Sequence, residues 1–327
     1  MAVSHNRSGF LKATSDFLVA LVMIIAVLGS ANNSLATEPP ITAICFSPDG
    51  KSLVAGSQAG AVVYSWPDLK QETRLSAKIV NIHALSFSPN GKYLAVAGGT
   101  PAEDGVVQLM AWPNGSDHLR LSGHADSVLA ISWQSDKAIA AASLDHEITI
   151  WDITTMKLIR RLKGHSRGVA AIGFLANGSQ LVSGGWDQSL RVWKPETGEL
   201  VRSLNNHTRE IHQLAVRPGS EGPPMVATVS GDRTMRLWQP TIGRMVRFAQ
   251  LDCSPLAVAW LPDGSLVAVA GDDGHVLLID PDTVKIVHNL PAIGGRTYSL
   301  AIHPDDGSLV VGGQNGQLKR VRWEDRD

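Results

Sequence analysis

Seven times along the 327-residue chain a turn residue separates two apolar runs, at Ala59, Asp104, Asp145, Asp187, Asp232, Asp273 and Asn315, with gaps of 45, 41, 42, 45, 41 and 42 residues. A period in the low forties with room for about four short strands per unit cannot bury its apolar faces one unit at a time. It requires neighbours on both sides. The fold predicted is all-β: a closed ring of seven four-stranded antiparallel blades, a β-propeller.

The middle units carry the most detailed pattern. Gly123-His124 precedes Val128 to Trp133, then Ser143-Leu144-Asp145 and a strand ending on Trp151-Asp152. The next unit runs through Gly164-His165, Gly185-Trp186-Asp187 and Trp193, and the one after through His207, Ser230-Gly231-Asp232 and Trp238. In each, the turn Asp and the Trp are six residues apart. On these residues the chain, from about Ile41 onward, resembles the WD-repeat family of seven-bladed propellers. The first unit has Ala59 in place of the turn Asp, the sixth has no Trp, and in the second and last the spacing widens to eight (Asp104 to Trp112, Asn315 to Trp323).

The resemblance implies that His124, Ser143, Asp145 and Trp151 form a hydrogen-bonded chain inside one blade, and that His207, Ser230, Asp232 and Trp238 repeat it. These residue types are also those of a hydrolase triad, but repetition argues for a structural role. The expectation is that the Ser bridges His to the indole. The set His165, Asp187, Trp193 then lacks its hydroxyl, because Gly185 occupies the Ser position, and its network should be weaker.

Ahead of the repeats, Arg7 and Lys12 precede an apolar run from Phe17 to Leu28 and a stretch of small residues. This is the layout of a secretory signal. Residues 1–36 are therefore expected to be a signal peptide cleaved after Ala31 or Ala36, with the propeller over 37–327 in a periplasmic or extracellular compartment. The alternative is an uncleaved segment that anchors the chain to a membrane. Only Cys45 and Cys253 are present, in the first and sixth units, so no disulfide is expected.

Lys plus Arg (29) nearly balance Asp plus Glu (30), which gives no field to hold nucleic acid. No His-x-His, His-Glu-x-x-His or paired-Cys motif marks a metal site, and no cofactor is expected. By the family resemblance, partners dock at the channel mouth, through residues beside the start of each inner strand and before each turn Asp. The candidates are Trp186, Leu144, His83, His212, Glu210, Glu103, Asp272 and Arg167, with Trp186 foremost as a large indole in a solvent-facing turn. His83 and His212 are expected to titrate near neutrality there. The reading is a monomeric, non-catalytic docking platform for a protein or peptide. Its alternatives are a lactonase-like propeller enzyme with a metal in the channel, for which Glu103, Asp272, Glu210 and Asn81 are the residues available, or a redox-partner subunit.

Only Glu324 to Asp327 follow Trp323, so the last blade is expected to have three good strands. At most a short fourth would come from residues 32–38.

Overall fold

A computed structural model of the chain describes residues 38–175, 178–219 and 222–323. They form seven antiparallel sheets, six of four strands and the last of three. In each sheet strand order follows chain order, from an inner strand at the channel to an outer strand at the circumference. The inner strands are Ala43–Phe46, Ile82–Phe87, Val128–Ser135, Val169–Phe174, Ile211–Val216, Pro255–Trp260 and Thr297–Ile302. Each packs against the next, and the seventh returns to the first.

Burial explains the residue pattern of each strand. The second strand of a blade is covered on both faces by neighbouring blades, so it reads as an unbroken run of small and β-branched residues. Leu181–Gly185, Val226–Ser230 and Val267–Gly271 are buried at every position. Outer strands are exposed over most of their length: Gln71–Leu75 is exposed until Leu75, and Lys157–Lys163 buries Leu162. Small residues are needed where a second strand meets the inner strand of the next blade: a Cβ on Gly184 would lie 2.7 Å from the Ile211 side chain.

Among the described residues the seventh blade has strands Thr297–Ile302, Leu309–Gly313 and Leu318–Val321, in line with the expected three. The expected signal peptide and, apart from Glu38, the expected short fourth strand lie outside the described residues. Among those residues the ring closes through side chains and single backbone contacts. The Ile41 amide donates to the Gly313 carbonyl at 3.0 Å, and Ser299 Oγ to the Ile41 carbonyl at 3.4 Å. His303 Nε2 donates to the Gly50 carbonyl at 3.0 Å while its Nδ1 accepts from the Asp305 and Asp306 amides.

Around His303 an aromatic group spans the joint. Trp66 stacks on His303 with centroids 5.2 Å apart, Phe46 meets both edge-on at 5.0 Å, and the Arg320 guanidinium lies 4.6 Å over the Trp66 ring. Gly50 is required there. Its φ is +67°, and a Cβ would stand 2.6 Å from His303 Nε2.

If residues 32–36 add an outer strand to the seventh blade, a chain beginning at Asn32 is expected to melt higher than one beginning at Thr37. The expected gain is about 1 to 2 kcal/mol, roughly 2 to 3 °C for a domain of this size. Coincident melting curves would mean that these five residues do not close the ring.

Candidate interaction surface at the channel mouth

The mouth is held in shape by three blade networks. In the third blade His124 Nδ1 donates to Asp145 at 2.8 Å, and Asp145 also accepts from the amides of Ala125 and Glu147. In the fourth, Asp187 accepts from His165 (2.9 Å), the Ser166 amide, Ser189 Oγ (2.7 Å) and Arg191. In the fifth, Asp232 accepts from His207 (2.8 Å), the Thr208 amide, Thr234 Oγ1 (2.6 Å) and Arg236. The imidazole-to-indole link is then made by a buried hydroxyl, which bonds His165 and Trp193 through Ser183 and His207 and Trp238 through Thr228, at 2.7–2.8 Å.

This corrects the expectation that Ser143 and Ser230 are the bridges. Both instead tie the turn to the loop entering the blade: each accepts from the turn Asp amide, and they donate to the carbonyls of Asp126 and Arg209. The bridging hydroxyl lies ten residues before the Trp in the fourth and fifth blades, at Ser183 and Thr228. In the third blade that position is Ala141, and the hydroxyl has crossed the ladder to its partner Thr149, which contacts His124 at 2.8 Å and Trp151 at 3.0 Å. The fourth network is therefore complete despite Gly185, whose Cβ would lie 2.5 Å from His165 Nδ1. The sparser network is that of the third blade, where Glu147 occupies the place of Ser189 and Thr234.

Burial works against ionising these carboxylates, but their hydrogen bonds, led by those from the histidines, outweigh it. Asp187 and Asp232 are held well below the usual carboxylate range, and Asp145 is also lowered. Burial likewise lowers His165 and His207, only partly offset by their Asp partners. Cys253, buried beside Asp273 and Asp272, is pushed up to about 12, and burial pushes Cys45 up as well, so neither is a thiolate at neutral pH.

Of the candidate docking residues, three come together. Leu144 and Trp186, from the turns of adjacent blades, flank Gly168: a Cβ there would lie 2.7 Å from Leu144 Cδ2 and 3.5 Å from Trp186 Cε3. The Trp186 amide donates to the Gly168 carbonyl at 2.8 Å. Trp186 is thus half-buried on its neighbour rather than standing out in solvent, and Gly168 is itself buried beneath Leu144 and Trp186. Arg167, next in the chain, is exposed beside it. One blade further, Glu210 approaches His212 Nε2 at 3.5 Å while His212 Nδ1 donates to the Pro255 carbonyl at 2.8 Å.

His83, Glu103 and Asp272 belong to other parts of the mouth, on blades two and six. His83 also departs from expectation, since burial lowers it to about 4 and it is uncharged at neutral pH. Among the described residues no three His, Cys, Asp or Glu side chains gather as a metal site, so Glu103, Asp272 and Glu210 do not form one.

These shifts fix the pH dependence of stability. A histidine lowered by folding binds fewer protons in the native state, so unfolding takes up protons between the folded and unfolded pKa, and stability falls as pH falls. For His83 that window runs from 6.5 down to about 4, and His165 and His207 act with the same sign. The lowered aspartates lose their contribution at still lower pH. The melting temperature is expected to be level above about pH 7 and to fall on acidification, with a shallower fall between pH 6.5 and 4 in His83→Asn. An unchanged slope in that variant would show that His83 is not the group responsible.

The WD domain, G-beta repeat model matches residues 31–64, 71–109, 115–152, 156–194, 198–239 and 250–280, more than half of the chain. The chain belongs to the WD40 repeat family. The seventh blade, with its wider spacing from Asn315 to Trp323, falls outside those matches. Similar proteins include Protein HIR1 of Coccidioides immitis, 30% identical over 161 residues, covering 39% of this chain and 15% of that protein. COMPASS component SWD3 of Saccharomyces cerevisiae is 26% identical over 159 residues, covering 46% of this chain and 48% of that protein. Nuclear distribution protein nudF 1 of Talaromyces marneffei is 30% identical over 128 residues, covering 38% and 27%. The matched regions thus span at most about half the length of these relatives.

Proposed function

We propose that the protein is a non-catalytic docking platform that binds another protein or peptide at the channel mouth, and that it acts after export. The observation that carries the docking reading is the pair of half-buried apolar side chains Leu144 and Trp186, which the turns of adjacent blades bring together over Gly168. One relative is by name a component of an assembly, COMPASS component SWD3. The export reading is supported by the basic, apolar and small-residue succession before Thr37, and places the mouth outside the cytoplasm.

Trp186→Ala tests the docking site. Partner binding is expected to weaken by about 2 kcal/mol or more, roughly thirtyfold, because a half-buried indole at the centre of a small patch is a typical hot spot. The melting temperature should change little, since Trp193 and the blade network beneath remain. Intact binding with a large loss of stability would assign the indole to packing alone.

A further inference from the structure

At the end of the ring opposite the mouth, where the inner strands of blades six, seven and one finish, lies a cavity of about 370 Å³. Phe46, Trp260, Leu300 and Ile302 wall it, and among the described residues no Asp, Glu, Lys, Arg or His does. Its polar side chains are committed or uncharged: Ser47 Oγ donates to Asp49 at 2.6 Å, the Trp260 indole donates to the Ala215 carbonyl at 3.1 Å, and the Cys45 thiol stays protonated at neutral pH. Three small side chains leave the space open. Cys45, Ala259 and Ala301 hold equivalent positions, one residue before Phe46, Trp260 and Ile302, and all three are half-buried. In the second and third blades that position, before Phe87 and Trp133, is Ser86 and Ser132, so the hydroxyls fall on one side of the ring and apolar groups at the cavity.

We propose that this cavity binds a small uncharged apolar molecule, about the size of two fused rings, across the joint between the first and seventh blades. An apolar cavity of about 150 Å³ takes a single benzene ring, and small-molecule sites begin at about 300 Å³, which sets the size. A charged ligand would give up its hydration to walls that carry no counter-charge, whereas an apolar one gains from covering half-buried Phe46 and Ile302. Cys45 and Phe46 belong to blade one and Leu300 and Ile302 to blade seven, so the occupant touches both faces of the joint that the aromatic group at His303 also spans. A ligand held by the closed ring alone stabilises closure by mass action.

The test is equilibrium dialysis of the full chain against naphthalene, with naphthalene-1-sulfonate as the charged control. Naphthalene is expected to bind at least about tenfold more tightly than the sulfonate and to raise the melting temperature in step with its concentration. Ala259→Leu fills the space and should weaken binding about tenfold or more. Ala301→Ser places in the wall the hydroxyl that blades two and three already carry, so the fold should tolerate it, and binding should weaken by about threefold. That variant decides the matter if Ala259→Leu does not fold. Trp186→Ala, at the other end of the ring, should bind naphthalene as the parent does. No binding, equal binding of the sulfonate, or unchanged affinity in Ala301→Ser overturns the inference. Loss of binding in Trp186→Ala would place the probe at the mouth and overturn it as well.

Discussion

Asp187→Ala and Asp232→Ala are expected to lower stability by similar amounts, about 3 kcal/mol each, and Asp145→Ala by distinctly less. Removing a nearly buried carboxylate leaves its donors without partners in a low-dielectric site, which costs more than one ordinary hydrogen bond is worth. In the fourth and fifth blades those donors are an imidazole, a loop amide, a hydroxyl and a guanidinium; the third blade has no counterpart of the hydroxyl or the guanidinium. Thermal or urea unfolding of the three variants decides the order. A smaller loss for Asp187 than for Asp145 would mean that Gly185 does weaken its blade, as the sequence pattern first implies, and that Ser183 does not compensate.

Trp66→Ala is expected to cost about 3 kcal/mol, comparable with a core aromatic although the ring is only half-buried. It removes the plate held between His303 and Arg320, and with it the edge contact to Phe46, so three groups from two blades lose their common partner. Trp112 is the control, since it follows the same strand of the next blade and, besides its packing on the core, has among the described residues one aromatic contact, to Phe87 edge-on at 5.0 Å, and no guanidinium over it. Its replacement by Ala should cost distinctly less. Equal losses at the two positions would show that the ring is no more sensitive at this joint than elsewhere.

Much of this architecture was legible in the residues. Seven turns at near-constant spacing place the blades, and the Asp-to-Trp interval of six identifies which strands carry the networks. What the pattern obscured was the bridging hydroxyl. Ser143 and Ser230 stand at matching places in the third and fifth motifs, whereas the working residue alternates between strands, at Ser183 and Thr228 on one and Thr149 on the other. Two positions that face each other across a ladder are interchangeable for a single oxygen, and that equivalence is visible only in register. The interval of ten residues from Ser183 to Trp193 and from Thr228 to Trp238 was the available signal.

At the mouth, the sequence placed Leu144 and Trp186 in equivalent turns of neighbouring blades, but the side chain both rest against is one that does not exist, at Gly168. A glycine leaves no positive mark in a list of candidate ligands. His83 was misread for a related reason: its position beside an inner strand was correct, but its degree of enclosure depends on the adjacent blade.

The joint between the first and seventh blades is the one place in the described ring where consecutive blades have no peptide connection. Six other junctions are tethered by loops, so a blade that separates there is held close and repacks at high local concentration. At the Phe46, Trp66, His303 and Arg320 cluster nothing tethers the two faces, and opening releases chain freedom that the other junctions cannot. The described ring is thus a linear stack whose ends meet at an aromatic clasp, together with the hydrogen bonds of Ile41 and Ser299. Amide exchange along Thr297–Ile302 and Ala43–Phe46 would reveal the breathing of that clasp before any other part of the circle.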